Sequence, residues 1–367
     1  MGILQPIWDG TFVYREPVCF SADKDGRPTG GTLLYQPEEI LSVTSFDGSV
    51  FYQPVRDYTA NGRQLVRTEA SRIPYLERSV YCKPFTGVPE TAWVRLSGGK
   101  AYMEVVSDVY RWQTLVTYTH RDKWAGFQPK TCGESLPRSM EKLRAGGDFH
   151  LTFYGDSITA GWEASGCNER AIDMVTLGEY HVSLWHAPYQ PAWAELVTNA
   201  LQARYPQSNV IKTNRAAGGS TVQWGVEHAA ELVPPCKPDL IMLGFGMNSM
   251  QESAEDYRRA ILSIIRTIRK ECHDCEFVLV SPMIPNPEIK GFQNNQLPAQ
   301  QGVLYQIAAE LEGVCIAPVH SVFREMTARG KHYLELTGNC INHPNDFSVR
   351  VYAQTVLRTL GVDGNDG

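Results

Sequence analysis

The stretch FHLTFYGDSITAGW, residues 149–162, governs how the rest of the chain is read. Its first half has the apolar character of a short buried strand, and it breaks at Gly155–Asp156 into a polar turn carrying Ser157. A serine at that place is either a cap for a following helix or a nucleophile presented at a strand end. The segments downstream alternate in type. PAWAELVTNALQARYP (191–206) is an amphipathic helix closed by Pro206, NVIKTN (209–214) a strand, and PDLIMLGFG (238–246) another. In SAEDYRRAILSIIRTIRKEC (253–272), Tyr257, Ile261, Ile264, Ile265 and Ile268 share one helical stripe. The strand EFVLVSP (276–282), the helix QGVLYQIAAELEG (301–313), the strand VCIAPV (314–319) and the helix FSVRVYAQTVLRTLG (347–361) complete the series. Five strands alternating with helices imply an α/β fold with a doubly wound five-stranded parallel sheet, covered on both faces.

Upstream the pattern is different. GTFVYREPVCF (10–20), GTLLYQPEEILSVTSF (31–46), SVFYQPVRDY (49–58), AWVRLS (92–97) and AYMEVVSDVYRWQTLVTYTH (101–120) are rich in Val, Tyr, Thr and Phe. Turn-forming DKDGRPTGG (23–31), TANGR (59–63) and SGGK (97–100) punctuate them. The expectation is an all-β sandwich or jelly roll over residues 1–130, a linker with one short helix over 131–147, and an α/β domain over 148–367. A chain of 367 residues is long enough for two such cores.

In a doubly wound sheet, ligands bind where strands end and loops lead into helices. Ser157, NRAAGGST (214–221), GFGMNSM (244–250) and NHPNDF (342–347) all fall at such places. A nucleophile, candidate oxyanion donors and a late histidine form the set that acyl transfer needs. At these residues the sequence resembles the SGNH (GDSL) hydrolase superfamily, whose four blocks carry Ser, Gly, Asn and His. Here they are GDSI with Ser157, NRAAGG with Gly219, GFGMN with Asn248, and NHPND with His343, in the family's order. The resemblance implies a flavodoxin-like three-layer α/β/α domain that hydrolyses esters through an acyl-serine intermediate. Ser157 would be the nucleophile and His343 its base. The oxyanion would be held by the Ser157 and Gly219 backbone amides and the Asn248 side chain, with Asp156 supporting the turn. No metal or organic cofactor is implied.

The chain departs from the family's pattern at two positions. Ser249 stands where Asp often follows the Asn, and Cys340 stands where a D-x-x-H motif supplies the triad acid. The favoured expectation is a Ser–His dyad with a backbone carbonyl near Cys340 orienting the imidazole. Asp346 and Glu335 are alternative carboxylates, Asp346 also reading as the N-cap of the last helix. The resemblance extends to two-domain carbohydrate acetylesterases with an N-terminal β-domain. It implies removal of small acyl groups, acetyl foremost, from a carbohydrate. The alternatives are a lipase-like or thioesterase acylhydrolase on longer chains, and a carbohydrate-binding protein with a degenerate hydrolase domain.

The long segment after the nucleophile, 162–191, reads as a functional loop or lid. Its Trp185 and Tyr189, together with Trp193 and Trp224, offer flat platforms for sugar rings or else ordinary core aromatics. Trp185 and Trp224 are the candidate substrate contacts. A net charge of −6 gives no electrostatic footprint for nucleic acid or an anionic membrane. No apolar run is long enough to span a bilayer. MGILQPIWDG lacks the features of a secretory leader, which for the chain as written implies the cytoplasm unless a leader was removed. Nine scattered cysteines suit a reducing compartment, and CHDC (272–275) has no second ligand pair for zinc.

Overall fold

The computed structural model describes residues 3–362 apart from 23–24, 26, 78–82, 85–92, 96–100, 105–108 and 290. For the strands at 83–84, 93–95 and 101–104 only the backbone is described. The N-terminal region contains β1 (Phe12–Ala22), β2 (Pro28–Thr29), β3 (Pro37–Ser45), β4 (Tyr58–Asn61) and β5 (Gln64–Arg67). It continues with β6 (Tyr75–Leu76), β7 (Lys83–Pro84), β8 (Trp93–Arg95), β9 (Ala101–Glu104) and β10 (Gln113–His120). The β10 strand lies between β1 and β3, antiparallel to both, while β2 and β6 flank the end of β1. Smaller sheets form from β4–β5 and from β7–β9–β8. The region is all-β, as its composition implies.

Of residues 49–58, expected as a strand, only Tyr58 belongs to one, at the start of β4; Phe51 meets β3 through an isolated bridge to Thr44, and Pro54 bridges Tyr58 within the segment. The cause is a buried carboxylate. Asp57 accepts from the Gln53 and Arg72 amides and from the Arg72 guanidinium, which folds the segment back on itself. Parts of the expected strands 92–97 and 101–120 lie outside the described residues.

Helix α1 (Pro137–Ala145) leads into β11 (Gly147–Gly155), which is followed by a hairpin of β12 (Asn168–Ile172) and β13 (Glu179–Ser183). Then come α2 (Trp193–Arg204), β14 (Ser208–Asn214), α3 (Val222–Leu232), β15 (Leu240–Gly244), α4 (Ala254–Arg269) and β16 (Glu276–Val280). The chain ends with α5 (Leu297–Glu310), β17 (Val314–Ala317), α6 (Val319–Ala328) and α7 (Asp346–Leu360). The sheet runs β14-β11-β15-β16-β17 with every pairing parallel. Because the order reverses at β11, its carboxyl end opens onto a crevice between the loops after β14 and β15. Both the hairpin and helices α3 and α6 were absent from the sequence expectation. Segment 162–191 is therefore partly regular structure rather than a free loop.

Side-chain alternation along the strands splits the core into two layers. Leu240, Met242, Val278 and Val280 pack with α2 and α7, whereas Ile241, Leu243, Phe277 and Leu279 pack with α3, α4 and α5. The expected α4 stripe is buried throughout, and each such isoleucine stabilises the fold by about 1.5–3 kcal/mol relative to exposure. The first layer does not stop at the expected linker, 131–147. Val13, Tyr35, Val116 and Tyr118 of the β-region join Phe347, Val349 and Tyr352 of α7 in one continuous cluster.

Buried polar groups tie the same junction together. Lys331 is wholly buried, paired with Glu16 at 3.0 Å and Glu335 at 3.2 Å, and donates to the Pro17 carbonyl at 2.6 Å. Arg350 of α7 donates to the carbonyls of Tyr14 and Arg15 in β1 and to Gln190. Gln113 of β10 donates to the carbonyls of Leu334 and Thr337 and accepts from Asn345. The β-region thus buttresses the segment that carries His343.

Candidate active site

The turn that carries Ser157 is built around Asp156. Asp156 is buried, and its carboxylate accepts from the Ile158 amide at 3.0 Å and from the Thr159 and Met247 amides. Desolvation pushes its carboxyl up to about 6 despite those bonds and the nearby His343. Asp156 therefore plays the cap-like part and supports the turn, as expected. Ser157 is left with its Oγ 2.8 Å from Nε2 of His343, although the two are brought in from opposite ends of the α/β region.

The two other loops converge on this point. Asn214, ending β14, accepts from the Ala216 amide and donates to the Thr159 carbonyl, so the second block is laced to the turn. Ala217 donates to the Gly155 carbonyl at 2.9 Å. Gly219 has φ +79°, a left-handed conformation that a side chain would disfavour, with open space where a Cβ would stand. Asn248 sits on the 3-10 turn Met247–Ser249, exposed, and its amide donates to the carbonyl of Ser220 at 3.0 Å. Gly219 and Asn248 thus belong to one wall. Ser249, in place of the family's Asp, accepts from the Val222 amide at the start of α3.

His343 lies on a loop pinned by Asn339, whose Oδ1 accepts from the amides of Ile341, Asn342 and His343. Neither expected carboxylate reaches its ring. Asp346 is bound to the Ser165 amide at 2.9 Å and hydroxyl at 2.7 Å, and burial raises its carboxyl above the usual range. Nor is it the N-cap: Asn345 occupies that place and accepts from Ser348. Glu335 accepts from the amides of Cys19, Gly31 and His332 beside Lys331, at the junction with the β-region. Nor does a carbonyl near Cys340 orient the ring in this structure: Nδ1 of His343 has no hydrogen-bond partner, and the Cys340 carbonyl accepts from the side-chain amide of Asn286 at 2.8 Å. The carboxylate that faces the ring is Glu163, with Oε1 4.0 Å from Nδ1 of His343. Sequence reasoning missed it. Its only local signal is an acidic residue at the end of the nucleophile turn, in a position that no motif marks.

The aromatic candidates divide. Trp193 is buried against Phe153 and Tyr352 with its indole N–H on the Ile158 carbonyl. Trp224 is also buried, donating to the Met174 carbonyl and packing on Tyr154 and His228. Neither offers a face to a sugar, which corrects the expectation for Trp224. Trp185 and Tyr189 are 67% and 49% exposed, their ring centroids 5.2 Å apart. Trp162 was not anticipated: its ring meets that of His343 edge-on at 5.7 Å and lies against Gly218. Among the described residues no cluster of His, Cys, Asp and Glu is arranged to hold a metal ion, no cysteine forms a disulfide, and no helix is long and apolar enough to cross a membrane.

A parallel sheet with a serine–histidine contact at its switch point, beside a glycine turn and an asparagine, is the arrangement that acyl transfer needs. The chain belongs to the GDSL-like lipase/acylhydrolase family, whose model matches residues 153–348, just over half of the sequence. No curated protein matches it. Among solved structures it is similar to a two-domain esterase active on acetylated mannans, co-crystallised with mannopentaose. That match has 20% identity and a TM-score of 0.48, covering 64% of this chain and 55% of the other. It is also similar to Axe2, an acetylxylan esterase from Geobacillus stearothermophilus, at 20% identity and a TM-score of 0.46. Here 59% of this chain and 96% of that one are covered. The chain spans little more than half the length of the two-domain esterase.

Proposed function

We propose that this enzyme is a serine esterase that removes small acyl groups, acetyl foremost, from a carbohydrate. The observation that carries the reading is the 2.8 Å contact between Ser157 Oγ and His343 Nε2, within hydrogen-bond reach for proton transfer. As Oγ bonds to the ester carbon, its proton passes to Nε2 and the carbonyl electron pair moves onto oxygen. The amides of Ser157 and Gly219 and the side chain of Asn248 stabilise that oxyanion; Asn248 exchanges its Ser220 carbonyl for it. Collapse breaks the bond to the sugar oxygen, which takes the proton from Nε2. Water then repeats the sequence on the acyl-serine and releases the acid.

Two features support the substrate class. Trp162, packed beside both His343 and Gly218, narrows the space next to the serine and favours a short acyl group. Trp185 and Tyr189 are exposed on a segment bound to the nucleophile loop, where His186 donates to the Ser165 carbonyl and Gly166 to that of Gln190. Such exposed rings suit the apolar face of a sugar.

The test is hydrolysis of p-nitrophenyl acetate, butyrate and octanoate by wild type and Ser157→Ala. The variant is expected to lose at least about 10⁴-fold in kcat, as removal of an acyl-transfer nucleophile does. Wild type should fall off with chain length. Equal rates for the two proteins would sink the nucleophile, and a preference for octanoate would sink the short-acyl assignment.

A further inference from the structure

The mechanism above leaves the far side of the imidazole unexplained. Nδ1 of His343 is buried and has no hydrogen-bond partner, which a base that must become an imidazolium does not tolerate without cost. The family's usual aspartate is Cys340 here, its carbonyl makes no bond to Nδ1, and Asp346 and Glu335 are bound elsewhere.

We propose that Glu163, six residues past the nucleophile on the same turn, is the carboxylate that orients His343, and that Tyr110 of the N-terminal β-region holds it there. Four observations support this assignment. First, the Glu163 carboxylate and the His343 ring are about nine-tenths buried and face each other at 4.0 Å. Such catalytic contacts are commonly long before substrate binds and tighten when charge develops. Second, Glu163 has φ +70°, a conformation that costs free energy in a non-glycine residue and persists only where the surroundings impose it. Third, the restraint is visible on both sides. The Tyr110 hydroxyl donates to the Glu163 carbonyl, and two residues on, Ser165 is clamped by Asp346 at the start of α7. Fourth, the His343 loop is shaped to let them approach. At Gly338, which donates to the His343 carbonyl, a Cβ would come within 2.4 Å of the Tyr110 hydroxyl and 2.8 Å of the Glu163 Cβ. Only glycine fits there.

Glu163 is thus a positioning residue. It fixes the ring with Nδ1–H toward its own carboxylate and Nε2 toward Ser157, and it stabilises the imidazolium that forms as the proton is taken. Tyr110 positions Glu163 in turn, which makes the β-region part of the catalytic device rather than an appendage. This inference rests on the serine-esterase reading, and the experiment separates the two. Full-length wild type, Ser157→Ala, Glu163→Gln, Glu163→Asp and Tyr110→Phe are compared on p-nitrophenyl acetate, with the rate of Ser157 labelling by a fluorophosphonate as a second readout.

Glu163→Gln is expected to lower kcat by roughly 10²- to 10⁴-fold with KM within about twofold, and to slow labelling in parallel. Glu163→Asp, which keeps the charge, should recover at least about tenfold of that loss, and Tyr110→Phe should lower kcat several-fold at unchanged KM. Should Glu163→Gln fail to fold, the Asp and Phe variants carry the same comparison: kcat at wild-type level in both overturns the inference. A Glu163→Gln enzyme within about threefold of wild-type kcat, beside an inactive Ser157→Ala, overturns the role of Glu163 and leaves the esterase reading standing. A raised KM at unchanged kcat overturns it too, making Glu163 a substrate contact. An active Ser157→Ala overturns the esterase reading itself.

Discussion

Asp156 and Ser157 are neighbours that divide one task. The carboxylate gathers the amides of the turn and is buried by doing so, which leaves the hydroxyl for His343. Holding a carboxyl near 6 has a thermodynamic signature. The unfolded chain titrates this group near 4, so the folded state binds the proton more tightly. The contribution of Asp156 to stability is therefore greatest below about pH 4 and is lost as pH rises through about 6, by on the order of 3 kcal/mol. Replacing it in Asp156→Asn removes that slope. The stability difference between variant and wild type, from urea midpoints at pH 4 and pH 8, should shift toward the variant by about 2–3 kcal/mol. Parallel curves at the two pH values would refute the shifted carboxyl. A loss of backbone acceptors in the variant adds an offset that does not depend on pH.

Helix α7 and the segment before it do two jobs with adjacent residues. Asn345 caps the helix, Asp346 clamps the nucleophile loop, and Glu335 joins Lys331 and two amides of the β-region. Glu335 is structural on this geometry. Glu335→Gln leaves Lys331 with Glu16 as its remaining carboxylate and should destabilise the protein by about 3 kcal/mol, with kcat on p-nitrophenyl acetate unchanged well below the melting temperature. Thermal unfolding and steady-state kinetics on the same sample check this. A collapse of kcat with normal stability would restore Glu335 as the acid. Most elements of the α/β region were legible because strands such as β15 and β16 are short apolar runs and α4 has a single stripe. Helix α3 was not, since Gly225 and its polar residues blur the period. The β12–β13 hairpin was not, because Glu169 and Arg170 interrupt any apolar alternation.

The proposed division at 131–147 is one of topology, for the core and the buried charges run across it. Val13 and Tyr118 share a cluster with α7, and Lys331 bridges a carboxylate from each side. Separating the two parts would expose unpaired charge and a broad apolar face together. Urea unfolding should therefore show one transition, with tryptophan fluorescence and far-ultraviolet dichroism coincident. Two resolved transitions would refute the shared core and make the β-region an independent module.

The sequence by itself determined the α/β class and the all-β region before it, and its blocks singled out Ser157, Gly219, Asn248 and His343 as the residues to look for. These reside in short local patterns, where period, glycine placement and block order are properties of neighbouring residues. Only the tertiary structure decided which carboxylate faces the base. Asp346 is three residues from His343 and is turned away to Ser165, while Glu163, distant in sequence, is brought within 4.0 Å of Nδ1. The physical reason is that proximity along the chain says nothing about direction. The turn after β11, the hydroxyl of Tyr110 and the bare backbone of Gly338 set that direction jointly, and they meet only once the two halves have folded together.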